Sequence, residues 1–281
     1  MKIDQDLLSA LPYKPQIFRE KNLYGIGHPD LVPVLKRLAA EKDPDLLQEA
    51  RVIKDHPHLI LKTSLLPRED FAWPRQVLKQ FKWRGVQNYL ASPLKKSKAI
   101  KSYLAACHLL KHGLGTPMPL GAVEVRCCGF ISSNIYVTET VHGYVDLKTY
   151  RDTMPHGKEG METVMLQLAR YIQRLHDSGM LHRDLNLSNF LLRGESEQCS
   201  LYLVDLNRAR RKNKVYFWAR AMDLSRLDLK EWQPLFFNLY CSSSLNQAFI
   251  STISRLSKTR RTAWRQVAKR TIFLRQKMGL R

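Results

Sequence analysis

Apolar positions change period along the chain, and the change predicts two differently built halves. In the first half they fall in short runs. Ala50–Lys54, His58–Leu66 and Gln76–Phe81 read as strands separated by the turn residues Asp-His-Pro and Pro-Arg-Glu-Asp. Lys98–His112 places Ala99, Tyr103, Ala106, Leu109 and Leu110 at helical spacing, and Gly113, Gly115 and Pro117 stop it. Ala122–Ile131 and Asn134–Thr140 read as a hairpin. Residues 1–48 hold short apolar patches broken by Pro12, Pro15, Pro29 and Pro33, with one helix expected at Leu31–Ala40. From Val145 the period becomes helical, and Glu162–Ser178 aligns Val164, Leu168, Ile172 and Leu175 on one face. The predicted class is α+β with two lobes. An N-terminal extension and a small β-rich lobe take residues 1–142, and a mainly helical lobe with basic C-terminal helices takes 143–281.

Length and composition fit that picture. The chain has 281 residues, 44% of them hydrophobic, enough for a sizeable core. Cysteines at 107, 127, 128, 199 and 241 form no CxxC pair, so they read as small, mostly buried thiols of a reducing cytosol. The first residues lack the apolar core of a signal peptide, and Trp232–Ser254 is too interrupted by Pro234, Asn238 and serines to span a membrane. A cytoplasmic protein is expected.

Charge adds a partner. The formal net charge is +21, which attracts an anionic partner. No acid occurs from Phe71 to Val123, and Arg255–Arg281 carries ten Lys or Arg and no Asp or Glu. No helix-turn-helix, zinc-finger or aromatic-platform motif accompanies this charge, so nucleic acid is not the expected partner.

The densest chemistry lies in His182-Arg183-Asp184-Leu185-Asn186-Leu187-Ser188-Asn189, followed by a short apolar strand, a turn, and Leu201-Tyr202-Leu203-Val204-Asp205. A strand pair projecting Asp184, Asn189 and Asp205 to one end suits phosphoryl transfer. That reaction needs hard oxygen ligands for Mg²⁺, here Asn189 and Asp205, and a carboxylate that takes the acceptor's proton, here Asp184. The pattern HRDxxxxN between a helix and an apolar strand ending in Asp indicates a protein-kinase-like fold using ATP. Lys79, between Val77-Leu78 and Gln80-Phe81, is similar to the nucleotide lysine of kinases, with Lys82 as its rival. Some kinase features are missing. No GxGxxG precedes Lys79, Leu206-Asn207-Arg208 stands where the DFG glycine would follow, and no Ala-Pro-Glu appears. Too little chain follows Asp205 for a peptide platform, which favours a small or non-protein acceptor.

At these residues the sequence resembles the lipopolysaccharide core kinase family, which includes heptose and Kdo kinases. The resemblance runs through Lys79, Ser97–Gly121, Tyr136–Leu147, His182–Leu192, Leu203–Arg210 and Arg220–Leu227, and its most specific part is Asp205-Leu206-Asn207-Arg208-Ala209. It implies Asp184 as catalytic aspartate, Asn189 and Asp205 as metal ligands, and Lys79 as ATP lysine, with Glu139 near the nucleotide-binding hinge. It further implies transfer of the ATP γ-phosphate to a heptose, or alternatively to Kdo, of the lipid A–core acceptor at the cytoplasmic face of the inner membrane. The anionic acceptor and bilayer would then account for the basic blocks. Arg208, Arg210 and Arg211 would grip acceptor phosphates or carboxylates. Asp223 resembles the buried kinase aspartate that holds the catalytic-loop backbone. One departure stands out. The helix after the lysine strand has Ser102 where the family offers a glutamate to pair with the lysine, so that pair falls to a carboxylate elsewhere, such as Glu69, or is not made. The competing readings are another small-molecule phosphotransferase and a kinase-like, non-catalytic binder of anionic surfaces.

Overall fold

Alternating side chains in residues 119–139 set the centre of the computed structural model, which describes residues 4–40, 50–55, 58–65, 71–81, 93, 95–153, 157–194, 199–241, 250–253, 256 and 259. Strands β1 (Gln16–Glu20), β2 (Leu23–Gly27), β3 (Arg51–Lys54), β4 (Leu59–Thr63), β5 (Gln76–Gln80), β6 (Pro119–Cys127) and β7 (Phe130–Glu139) form one antiparallel sheet in the order β1-β2-β6-β7-β5-β4-β3. Val123, Ile135 and Val137 face one side and meet Leu31, Leu35 and Leu38 from helix α2 (Val32–Ala39) and the turn before it. Ala122 and Tyr136, one position out of phase, face the other side. They meet Ile100, Tyr103 and Cys107 of helix α3 (Lys98–Lys111). A sheet covered on both faces follows from the period of two. Ile100 and Leu109 are fully buried, each contributing roughly 1.5–3 kcal/mol of gross burial.

The chain divides into two compact units. One comprises residues 1–146 and 190–209, the other 147–189 and 210–281. Beside the seven-stranded sheet, the first unit contains strands β8 (Tyr144–Asp146), β10 (Phe190–Arg193) and β11 (Ser200–Leu203) in the order β11-β10-β8. The hairpin 190–209 belongs with this unit because β11 is stitched to the segment after α3. Leu203 N–H donates to Gly115 O at 2.9 Å and Thr116 Oγ1 donates to Leu203 O at 2.8 Å. A Cβ at Gly115 would sit 2.1 Å from Leu201 O, so only glycine permits this approach.

The second unit is mainly helical: α4 (Leu147–Thr153), α5 (Gly157–Asp177), α6 (Phe217–Leu224) and α7 (Gln233–Tyr240), with the short antiparallel pair β9 (Met180–Leu181) and β12 (Arg210–Arg211). In α5 the expected face of Val164, Leu168, Ile172 and Leu175 is buried, and Met161 and Met165 extend it back to Gly160. Among the described residues no helix is long and apolar enough to cross a membrane.

Three expectations needed correction. The β1–β2 hairpin went unread because Gly25 and Gly27 dilute the strand signal, yet a Cβ on Gly25 would strike the Phe18 ring at 2.3 Å. The β6–β7 hairpin turns at Cys128-Gly129, both at positive φ, rather than at Ser132-Ser133. Two consecutive positive-φ residues match the right-handed twist of the flanking strands. That turn also overturns the buried-thiol reading, since Cys127 and Cys128 are exposed and only Cys107 is buried. The basic tail from residue 260 lies outside the described residues.

Candidate active site

Lys79 lies on β5 and Asp205 two residues after β11, both in the first unit. Lys79 Nζ donates to Asp205 Oδ1 at 2.6 Å, across 126 positions of sequence. The lysine also lies 5.2 Å from the Phe81 ring centroid, a cation–π contact. Asn207 Nδ2 donates to the same Oδ1. Asp205 adopts φ 61° and ψ 49°, a left-handed conformation that aspartate tolerates better than most residues. The residue after it, Leu206, starts a 3₁₀ turn through Arg208, which aims the Asp205 side chain without a following glycine.

The absent glutamate is thereby resolved in this structure. Ser102 is buried in α3 and its hydroxyl donates to Lys98 O one turn back. Asp205 itself supplies the carboxylate for Lys79. Glu69 and Lys82 lie outside the described residues.

In the second unit, the 182–189 loop is organised by one buried carboxylate. Asp223, only 4% exposed, accepts from His182 N–H at 2.8 Å through Oδ2 and from Arg183 N–H at 2.6 Å through Oδ1. Arg183 sits at φ 64°, and a strained residue of this kind persists only where its surroundings hold it. The expected role of Asp223 toward the loop backbone is thus visible as two hydrogen bonds. His176 Nε2 lies 3.4 Å from Asp223 Oδ2, and its Nδ1 lies 2.7 Å from the Tyr240 hydroxyl. Burial holds the His176 pKa below its ordinary value of 6.5, against the pull of Asp223 in the opposite direction. His182 is fully buried, as a positioning residue should be.

Beyond that anchor, Asn189 Nδ2 donates to the Asp184 carbonyl at 3.0 Å, which leaves the amide oxygen on the other side of the group. Arg226 NH1 lies 3.3 Å from Asp184 Oδ1. Sequence reading missed Arg226, two residues beyond α6, because its approach to Asp184 depends on how the chain folds. The one sequence signal is its place three residues after Asp223.

The remaining expected residues are placed as follows. Glu139 ends β7, where its N–H donates to Met118 O at 3.0 Å and its carboxylate accepts from Met118 N–H at 2.8 Å. With Thr140, Val141 and His142 it lines a cavity of 340 Å³ in the first unit. Arg208 is exposed at the end of the 3₁₀ turn. Arg210 and Arg211 are exposed on β12, whose backbone pairs with Leu181 and Met180 immediately before the loop. Among the described residues no group of three or more His, Cys, Asp or Glu can hold a metal by itself. Asn189 in the second unit offers an amide oxygen and Asp205 in the first a carboxylate, each a hard oxygen donor of the type Mg²⁺ takes.

A lysine strand paired to an aspartate, and an HRDxxxxN loop held by a buried aspartate beneath it in sequence, define a protein-kinase-like fold. The solved structure "WaaP in complex with acyl carrier protein" shares it, with a TM-score of 0.56 at 20% identity, covering 82% of this chain and 95% of that one. The chain belongs to the lipopolysaccharide kinase (Kdo/WaaP) family, whose profile matches residues 76–243. Among curated relatives, the 3-deoxy-D-manno-octulosonic acid kinase of Haemophilus influenzae (strain 86-028NP) is 28% identical over 140 residues, covering 50% of this chain and 56% of that protein. The enzyme of the same name from Actinobacillus succinogenes is 30% identical over 140 residues, covering 50% and 55%. The chain therefore spans about half the length of the curated relatives it matches.

Proposed function

We propose that the protein transfers the γ-phosphate of ATP to a hydroxyl of an inner-core sugar of lipopolysaccharide. The observation that carries this reading is the 2.6 Å pair between Lys79 and Asp205, two charges of the first unit that lie 126 positions apart in the sequence. ATP would supply the phosphoryl group and Mg²⁺ would offset the charge of its phosphates, with Asn189 and Asp205 as protein ligands and Lys79 as a phosphate contact. Glu139 marks the edge at which the nucleotide base would be read. Asp184 would orient the acceptor hydroxyl and receive its proton on the carboxylate, with Arg226 fixing the side chain beforehand. Arg208, Arg210 and Arg211 would bind acceptor phosphate or carboxylate groups by forked contacts.

The sequence put heptose first as acceptor, whereas the names of the curated relatives favour Kdo. With either acceptor the protein would act in the cytoplasm, peripheral to the inner membrane. The deciding experiment uses labelled ATP, Mg²⁺ and lipid A–core acceptors truncated after Kdo or after the first heptose. Label on the Kdo-only acceptor makes it a Kdo kinase, label only on the longer acceptor makes it a heptose kinase, and label on neither overturns the reading.

A further inference from the structure

Three basic side chains meet one buried ring. Phe81, only 4% exposed, follows β5 directly, and the His58 ring packs edge-on against it with centroids 5.0 Å apart. Lys79 Nζ lies 5.2 Å from the Phe81 centroid and Lys98 Nζ 5.8 Å from it. All four residues belong to the first unit. Asn134 of β7, itself 4% exposed, fixes their spacing. Its carbonyl accepts from Phe81 N–H at 3.1 Å, and its Oδ1 accepts from Ala99 N–H at 3.1 Å. One buried residue thus pins the end of the lysine strand to the start of α3, and both ammonium groups are held at the same ring.

Two ammonium groups gathered in this way form a site for an anion of more than one charge. Among the described residues, Asp205 pairs with Lys79 at 2.6 Å, while Glu124 accepts from Ser97 N–H at 3.0 Å and Arg126 Nε at 2.7 Å. The first turn of α3 has no acid, and neither has any other part of residues 71–123. The helix therefore brings a cation toward the lysine strand where the family resemblance implies a carboxylate. A triphosphate suits that arrangement, because one chain of phosphates offers oxygens to both lysines. The residues that precede β4, Asp55-His56-Pro57-His58, contain no glycine. A glycine-rich backbone wrap of the phosphates is ruled out there, and side-chain cations have to take its place.

We propose that Lys98 is a second phosphate-binding residue of the nucleotide site. With Lys79 it holds the triphosphate that no glycine-rich loop wraps, and Phe81 sets the spacing of the two ammonium groups. The inference rests on the reading that the protein uses ATP, and deepens it by naming the residue that takes over from the missing loop.

The test is calorimetric binding of ATP, ADP and adenosine to the full chain, with Mg²⁺ and without acceptor. Lys98→Met keeps an apolar stem beside Phe81 and removes the charge. It should weaken ATP binding about tenfold and ADP binding about threefold, and leave adenosine binding within about twofold. Lys98→Arg should recover most of the ATP affinity, and the loss in Lys98→Met should shrink as salt is raised. In the wild-type chain, ATP should protect Lys98 from acetylation by acetic anhydride and adenosine should not, a measurement that needs no variant to fold. Equal losses for all three ligands would make Lys98 a structural residue and overturn the proposal. Unchanged ATP affinity in Lys98→Met, or acetylation of Lys98 indifferent to ATP, would overturn it too while leaving the kinase reading in place. A wild-type chain that binds no nucleotide would sink that reading and this inference with it.

Discussion

The two parts of the proposed catalytic set are held by different physics. Lys79 and Asp205 hold each other. Each is the other's charge partner, and the contact is 15% exposed on the lysine side and 35% on the aspartate side. The 182–189 loop is held instead from behind, by a buried carboxylate whose oxygens are committed to backbone N–H groups. A side-chain ion pair can open when phosphates compete for the lysine. A backbone clamp of two buried bonds cannot open without loss of the loop. The first arrangement suits a group that must exchange partners, and the second suits a residue that must keep one position.

That contrast can be broken at each end. Asp184→Asn should lower kcat by about a thousandfold with little change in thermal stability, read by phosphate transfer and by melting. Lys79→Ala should cost about a hundredfold in kcat/KM and weaken nucleotide binding, because Asp205 loses its cation and the phosphates lose theirs. Thermal stability should move little, since the pair is partly exposed. Asp223→Ala behaves the opposite way. It strands two buried N–H groups and releases Arg183 from φ 64°, so unfolding should become easier by roughly 2–4 kcal/mol, with a kcat loss that Asp223→Asn only partly restores. Equal stability losses for Lys79→Ala and Asp223→Ala would remove the distinction.

The smallest effect sharpens the clamp. Burial depresses the His176 pKa, so the folded ring takes up a proton only at a lower pH than the unfolded one. The unfolded chain therefore binds a proton more readily, and stability contributed by the neutral ring is complete above the unfolded value of 6.5. It falls as pH drops below that value toward the lower folded pKa. Denaturant unfolding between roughly pH 7.5 and 5.5 should show this loss, and His176→Phe should flatten the slope. An unchanged slope in that variant would assign the acid sensitivity to other groups.

Much of the second unit's chemistry was legible because it is local. HRDxxxxN, the helix before it and the strand after it are contiguous, and each carries a period or turn signal that survives without tertiary context. Asp223 could be named through its resemblance to the buried kinase aspartate, in the helix after a short segment. The β1–β2 hairpin was not legible, since its glycines are demanded by Phe18 and by neighbouring backbone rather than by local strand preference. Arg226 was hidden for the same kind of reason, as its 3.3 Å approach to Asp184 spans 42 positions.

By itself, the sequence determined the class of element at most positions, the order of the candidate site residues and the excess of positive charge, because these depend on side-chain type and short-range spacing. Only the tertiary structure decided that Lys79 finds Asp205 in place of the missing glutamate, and that α6 buries alanine and aspartate while presenting Phe217, Trp218 and Met222 to solvent. The physical reason is distance along the chain. A contact across 126 residues, or the choice of which helix face is covered, is settled by how whole elements pack, and no local pattern contains it.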